Sequence, residues 1–208
     1  MTTYRARRML RHLLIPLLLV PAAGHASERY LDRYFHDIEL AAPDEMIAFR
    51  LVEKDLSGRD YLPASERLAK LIDGLDVDAT DPIVRAQLIA DAAMVMAVNG
   101  EFEASLAGLD QAISLIEQAK GPFDPMLADI LLTRGMIDKD TGQYAQAIDS
   151  LRRAQHIRHR QDGVYTKLQL PIIDELANVD VALDRLDDAD REHHFNLMIS
   201  EQTYKQNN

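Results

Sequence analysis

A pattern of glycine, aromatic and small residues recurs along the chain every 42 residues, and this recurrence constrains the fold more than any other feature. In "TGQYAQAIDSLRRAQ", Gly142 precedes Tyr144, Ala147, Leu151 and Ala154. The last four residues are three or four positions apart, so they share one face of a helix. Self-similarity at a period of roughly 20 to 50 residues is typical of repeat architectures.

The pattern occurs four times. The corresponding residues of the other copies are Gly100 and Phe102, then Asp184, Leu186 and Ala189, and, one residue off this register, Tyr61 and Ala64. The last copy is degraded, because His193 and Asn196 occupy positions that are apolar in the copies before it.

Each copy predicts a helical hairpin. An apolar helix comes before the glycine, as in "PIVRAQLIADAAMVMAVNG" and "PMLADILLTRGMIDKDTG". Asp81-Pro82 and Asp124-Pro125 are favourable helix starts, and a glycine near the end supplies a left-handed turn. A hairpin cannot bury its apolar face alone, so successive copies must stack.

The stretch "LLTRGMIDKDTGQYAQAIDSLRRA" resembles the tetratricopeptide repeat (TPR). Gly135, Gly142, Tyr144, Ala147 and Ala154 stand where that motif has its glycines, aromatic residue and alanines. The usual repeat has about 34 residues, and the longer period is similar to that of kinesin light chains. The resemblance implies an all-α, right-handed superhelical solenoid over residues 43–208, with repeats at 43–78, 81–120, 124–161 and 164–205.

Three residues depart from the TPR pattern. Arg134 stands where a leucine is expected, and Asp138 where an aromatic residue is expected. Pro171 lies inside the first helix of the fourth copy or at its start. The fold class predicted from the other positions is unaffected.

Residues 1–26 have the layout of a secretory signal. Arginines between positions 5 and 11 precede the apolar run 13–23, and the small residues Gly24 and Ala26 follow. Cleavage near Ala26 would leave 182 residues with 19 basic and 34 acidic side chains, a net charge of −15. We predict a periplasmic protein; the alternative is a membrane anchor formed by an uncleaved signal.

Composition and motifs argue against several classes of function. A net charge of −15 disfavours nucleic acid and anionic membrane surfaces as partners. The sequence has no cysteine, no Gly-x-Ser-x-Gly, no phosphate-binding loop and no His-Glu-x-x-His. We therefore predict no enzyme, no cofactor and no metal site. Two histidine groups are interpreted as solvated surface residues, namely His156 with His159 and His193 with His194.

The single basic run, "LRRAQHIRHR", is predicted to pair within the chain. The expected partners of Arg152, Arg153, Arg158 and Arg160 are acidic residues of the next hairpin, namely Asp184, Asp187, Asp188 and Asp190.

The TPR resemblance implies that the first helix of each hairpin lines a concave groove. Helical position places these residues on it: Met46, Phe49, Glu53, Gln87, Ala90, Met94, Asp129, Leu132, Met136, Asp174 and Asn178. The central positions are apolar and rich in methionine, which suits an apolar or amphipathic segment of an envelope protein. The alternative is that the same residues are ordinary core.

Residues 27–42 precede the array and include "SERYLDRYFHDIEL". Tyr30, Tyr34 and Phe35 give this segment an aromatic patch. We predict a helix that caps the first hairpin. The alternative is an element that lies in the groove until a partner displaces it.

These patterns predict a non-catalytic scaffold or adaptor for protein–protein interaction in the bacterial cell envelope. The alternative is a self-associating structural protein, or a shortened relative of a longer array. In that alternative the C-terminal hairpin forms a homo-oligomer interface through Phe195, Met198 and Ile199.

Overall fold

The computed structural model of the chain describes residues 28–35 and 37–206. In this part of the chain the helices are α1 (Pro43–Ser57), α2 (Tyr61–Gly74), α3 (Pro82–Val98), α4 (Phe102–Lys120), α5 (Met126–Asp140), α6 (Tyr144–Asp162), α7 (Leu170–Ala182) and α8 (Leu186–Gln206). Short 3₁₀ helices span Glu28–Arg33 and Lys167–Gln169. No strand is present among these residues, which confirms the all-α prediction.

The helices form four antiparallel hairpins, α1–α2, α3–α4, α5–α6 and α7–α8, each stacked on the next. The predicted signal, residues 1–26, lies outside the described residues. Within the described part, no helix is both long enough and apolar enough to span a membrane.

The turn between the two helices of each hairpin recurs at nearly the same spacing as the sequence pattern. Arg59, Gly100, Gly142 and Asp184 adopt positive φ angles of 61°, 82°, 79° and 57°. Each next residue donates its N–H to a carbonyl five positions earlier, as Gln143 does to Asp138 at 2.7 Å. This is the hydrogen bond of a Schellman helix end. The predicted glycine therefore makes the turn in the second and third hairpins, whereas arginine and aspartate do so in the first and fourth.

Small residues let the two helices of a hairpin approach closely. A Cβ atom added to Gly135 of α5 would lie 2.7 Å from Cγ of Leu151 in α6. Ala147 and Ala154 of α6 are completely buried. The small residues of the sequence motif therefore lie at the contact between helices, and larger side chains would separate α5 from α6.

The two non-TPR residues of α5 contact each other. Arg134 and Asp138 are one helical turn apart and pair at 3.7 Å. Arg134 also donates to Ser150 Oγ at 2.8 Å and pairs with Asp110 at 2.9 Å. Burial raises the pKa of Asp138, and the charge of Arg134 opposes that rise. A polar contact among α4, α5 and α6 thus replaces the apolar one that the TPR pattern predicts.

The basic run of α6 pairs within the chain, but its partners differ from those predicted. Arg152 contacts Glu192 at 2.5 Å, and Arg153 contacts Glu117. Arg158 contacts Asp129 at 2.7 Å. The partners lie on α4, α5 and α8, because the helix directs its successive arginines to different neighbours.

Candidate functional site: the concave face

The N-terminal segment, described over residues 28–35 and 37–40, lies across the first helices of the hairpins. Its 3₁₀ helix packs against α3 and α5, and Tyr34 stacks on Phe49 of α1 with ring centroids 6.4 Å apart. The segment thus runs from α5 back towards α1. A helix over 27–42 was expected at the first hairpin. The described residues of this segment instead form a 3₁₀ helix, Glu28–Arg33, followed by irregular backbone.

Two apolar clusters lie beneath the N-terminal segment. The first contains Tyr30 together with Ala90, Met94, Leu132 and Met136 of α3 and α5. Tyr30 and these four residues are at most 7% exposed. The structure thus brings the central groove residues together in a buried core of which Tyr30 is also a member.

The second cluster combines Phe49 of α1 with Tyr34 and Ile38 of the N-terminal segment. The remaining residues predicted for the groove are only partly buried or exposed. Met46, Glu53, Gln87 and Asp129 are half-buried, and Asp174 and Asn178 of α7 are exposed. The predicted lining therefore changes from apolar at α3 and α5 to polar at α7.

Carboxylates of α5 and α7 hold the start of the N-terminal segment. Arg29 forms an ion pair with Asp140 and another, at 3.3 Å, with Glu175. Tyr30 Oη donates to Asp140 Oδ2 at 2.5 Å. Lys139 contacts the second oxygen of Glu175 at 2.6 Å. Two cations and one hydroxyl therefore satisfy two carboxylates at this end of the segment.

Two further carboxylates hold the rest of the N-terminal segment. Arg33 pairs with Asp129 at 3.6 Å, and the backbone N–H of Phe35 donates to Asp91 Oδ1 at 2.9 Å. Asp91 is completely buried, and this burial raises its pKa well above the ordinary aspartate value. Its Oδ2 has no hydrogen-bond partner among the described residues.

A cleft of about 230 Å³ remains between the N-terminal segment and helices α5 and α7. Its walls include Arg29, Arg33, Met136, Asp174 and Glu175. This cleft is the open continuation of the concave face towards the fourth hairpin.

The histidines predicted to be solvated have aromatic neighbours in two cases. The ring of His156 lies 5.7 Å from that of Phe123, and the ring of His159 lies 6.5 Å from that of Phe195. Across the described residues, no three histidines or carboxylates are grouped in a way that could hold a metal ion.

Sequence reasoning missed the polar contacts of the concave face. Asp91 had a visible signal, because it is an isolated acidic residue within the apolar stretch "LIADAAMVM". Such a residue needs a buried partner. Arg29, Asp140 and Glu175 carried no such signal, since charged residues at those positions are ordinary for a solvated helix face.

Comparisons with known proteins give no match to a family model and none to a curated protein. Solved structures do match. BtubC (BKLC) from P. vanneervenii has a TM-score of 0.67 at 16% identity, covering 86% of this chain and 71% of its own.

A second similar structure is a variant of a Podosopora anserina protein, described as a kinesin light chain with nearly identical TPR-like repeats. It has a TM-score of 0.68 at 14% identity, covering 86% of this chain and 85% of its own. Identities this low establish likeness of fold alone. The chain therefore has a TPR-like fold, an all-α solenoid of stacked helical hairpins similar to the repeats of kinesin light chains.

Proposed function

We propose that the chain is a non-catalytic adaptor of the bacterial cell envelope whose concave face binds short peptide segments of other proteins. TPR-like folds as a class mediate protein–protein interaction. One observation carries the proposal for this chain: its concave face already holds a peptide segment, residues 28–40, through two apolar clusters and four carboxylates.

The size of the open cleft supports displacement of the N-terminal segment by a partner. Small-molecule sites have volumes of roughly 300 to 1,000 Å³, and the remaining cleft has about 230 Å³. In the proposed mode of binding, a partner takes over the contacts of residues 28–40 with the concave face. The partner is a protein segment, and its binding site centres on Met94, Leu132 and Met136.

Localisation in the periplasm rests on residues 1–26, which have the layout of a secretory signal. The test is N-terminal sequencing of the protein purified from the periplasmic fraction. A chain that starts at Ser27 is the expected result. A full-length chain in the membrane fraction would favour an anchor formed by an uncleaved signal.

Crosslinking in intact cells tests the binding site. The tagged chain is recovered from crosslinked envelopes as wild type and as Tyr30→Ser, which weakens the N-terminal segment and frees the concave face. Tyr165→Ser is the matched control, because Tyr165 is 45% exposed and lies outside this face. We expect more of the same partner with Tyr30→Ser than with the other two proteins. Equal recovery from all three would reject the concave face as the binding site.

A second candidate function is self-association through the fourth hairpin. Leu197 and Met198 are neighbours on α8 and are 55% and 38% exposed, and exposed apolar residues close together mark interfaces. Ile199, expected at this interface, is instead completely buried. Sedimentation velocity across a concentration series tests the idea. The idea would be supported if the average mass of wild type rose with concentration while that of Leu197→Lys stayed at the monomer value.

A further inference from the structure

The contacts of the N-terminal segment indicate the chemistry of the external partner, provided that the proposed peptide-binding function holds. We propose that the partner is a peptide with an arginine and an aromatic residue directly after it in a short helical turn, and a second aromatic residue four positions later in non-helical backbone. Arg29, Tyr30 and Tyr34 have this spacing: Arg29 pairs with Asp140, and the two tyrosines are 3% and 7% exposed.

The arginine is required by charge. Without the N-terminal segment, Asp140 and Glu175 share a single nearby cation, Lys139, which contacts them at 3.6 and 2.6 Å. The side chain of Glu175 is 11% exposed and that of Asp140 26% exposed. A partly buried carboxylate left without a counter-charge is costly. Any replacement for residues 28–40 must therefore supply a cation at the position of Arg29.

The first aromatic residue is required by shape. Tyr30 is 3% exposed, packs edge-on against Phe102 at 6.5 Å, and donates its hydroxyl to Asp140. A small side chain there would leave a cavity between α3 and α5, and buried cavities are destabilising.

The second aromatic residue has an equivalent role at α1. Tyr34 is 7% exposed, and its ring lies nearly parallel to that of Phe49. Stacked aromatic pairs contribute beyond their buried area. The two rings are four residues apart in the segment and reach different hairpins, which fixes their spacing in a partner.

A backbone N–H outside a helix is required directly after the second aromatic residue. Asp91 is completely buried and accepts the backbone N–H of Phe35. The interior of a helix has no free N–H to donate, and proline has none at all. A carboxylate in place of Arg29 or Arg33 would face Asp140, Glu175 or Asp129, so the concave face selects against acidic residues at these two positions.

The inference is tested with a protein whose chain is cleaved after the N-terminal segment, so that every residue is still present. A protease site is inserted between Ala41 and Ala42, the folded protein is cleaved, and the cut N-terminal segment carries a fluorophore. Unlabelled peptides of residues 27–41 then compete with the labelled segment, and fluorescence anisotropy reports its displacement. The peptides are the native sequence, Arg29→Glu, Tyr30→Ser and Phe35→Pro. Asp37→Ser is the matched control, because Asp37 is exposed.

We expect Arg29→Glu, Tyr30→Ser and Phe35→Pro each to compete at least about tenfold less well than the native peptide, and Asp37→Ser to match it within about threefold. A further peptide keeps only Arg29, Tyr30, Arg33, Tyr34, Phe35 and Ile38 in a serine-glycine background. It should still displace the segment, because those positions carry the recognition.

Two results would overturn the inference, and they are distinguishable. Equal competition by all peptides would show that the concave face binds peptides without selecting arginine and aromatic residues; the proposed function would then stand alone. If the native peptide itself failed to displace the segment while circular dichroism showed a folded array, both the inference and the proposed function would be wrong.

Discussion

The third and fourth hairpins share one register but present different surfaces. Leu132 and Met136 of α5 are 3% and 7% exposed beneath the N-terminal segment. Forty-two residues later, α7 has Asp174 and Asn178, and both are exposed. The concave face is therefore apolar only where the segment covers it.

The second helices of these hairpins differ in the same way. Leu151 of α6 is completely buried, whereas its counterpart in α8, His193, is exposed. Asn196 of α8 donates to Asp174 at 2.5 Å. Partial desolvation by its neighbours raises the pKa of Asp174, and His193 and Asn196 oppose that rise. The residues that shape a hairpin persist in the fourth copy, as buried Ala189 shows, while the residues that face a neighbour have become polar.

The largest effect should come from truncating the buried member of the Leu151/His193 pair. Leu151→Ala should lower the free energy of unfolding by about 2 to 5 kcal/mol, because it leaves a cavity at the α5–α6 contact. His193→Ala should change it by less than about 0.5 kcal/mol, since the side chain is exposed. Guanidinium denaturation of both variants measures the difference. Similar losses would mean that the fourth hairpin is packed like the third.

Gly135→Ala should have the next largest effect. The added Cβ would meet Leu151 Cγ at 2.7 Å, and overpacking of this kind costs about 1 to 3 kcal/mol. The matched control is Gly74→Ala at the end of α2, where the added Cβ meets nothing within 4 Å. That variant should be neutral or up to about 1 kcal/mol more stable, because alanine favours helix. A stabilised Gly135→Ala protein would contradict the close approach of α5 and α6.

The hairpin turns predict a pair of smaller effects with opposite signs. Gly142→Ala should destabilise by about 1 kcal/mol, because φ is 79° and an L side chain is strained there. Asp184→Gly should stabilise by up to about 1 kcal/mol, since glycine tolerates the 57° angle of the fourth turn. Thermal unfolding followed by circular dichroism gives both shifts. If the melting temperatures of the two variants shifted in the same direction, the two turns would not be equivalent.

The last prediction compares wild type with Asp91→Asn, whose free energies of unfolding should be nearly equal at pH 4. Burial raises the pKa of Asp91, so the folded protein holds this proton more tightly than the unfolded chain. The resulting stability is fully present below the ordinary aspartate pKa of about 3.9 and is lost as pH rises through the raised pKa. The free energy of unfolding of wild type should therefore fall relative to Asp91→Asn between pH 4 and 8. Urea denaturation across this range measures it, and a constant difference would refute the prediction.

The prediction of the fold succeeded because its signals are local. The left-handed turn at Gly142, the small residues Ala147 and Ala154, and the Asp81-Pro82 helix start each act within a few residues. Their recurrence at 42 residues then implies stacking. The central groove residues Met94, Leu132 and Met136 lie in a single buried cluster, and their role in binding stays a prediction.

The covering of the concave face had no comparable signal. Arg29 contacts Asp140, 111 residues away, and Glu175, 146 residues away. No period or motif relates these positions, and an aromatic patch such as Tyr30 and Tyr34 is compatible with a cap or with a groove occupant.

The sequence by itself determined the helical hairpins, their turns and their common register, because neighbouring residues decide where a helix starts, ends and presents its small side chains. Only the tertiary structure decided that residues 28–40 lie in the groove. That outcome depends on shape and charge complementarity between surfaces that form only after the hairpins have stacked.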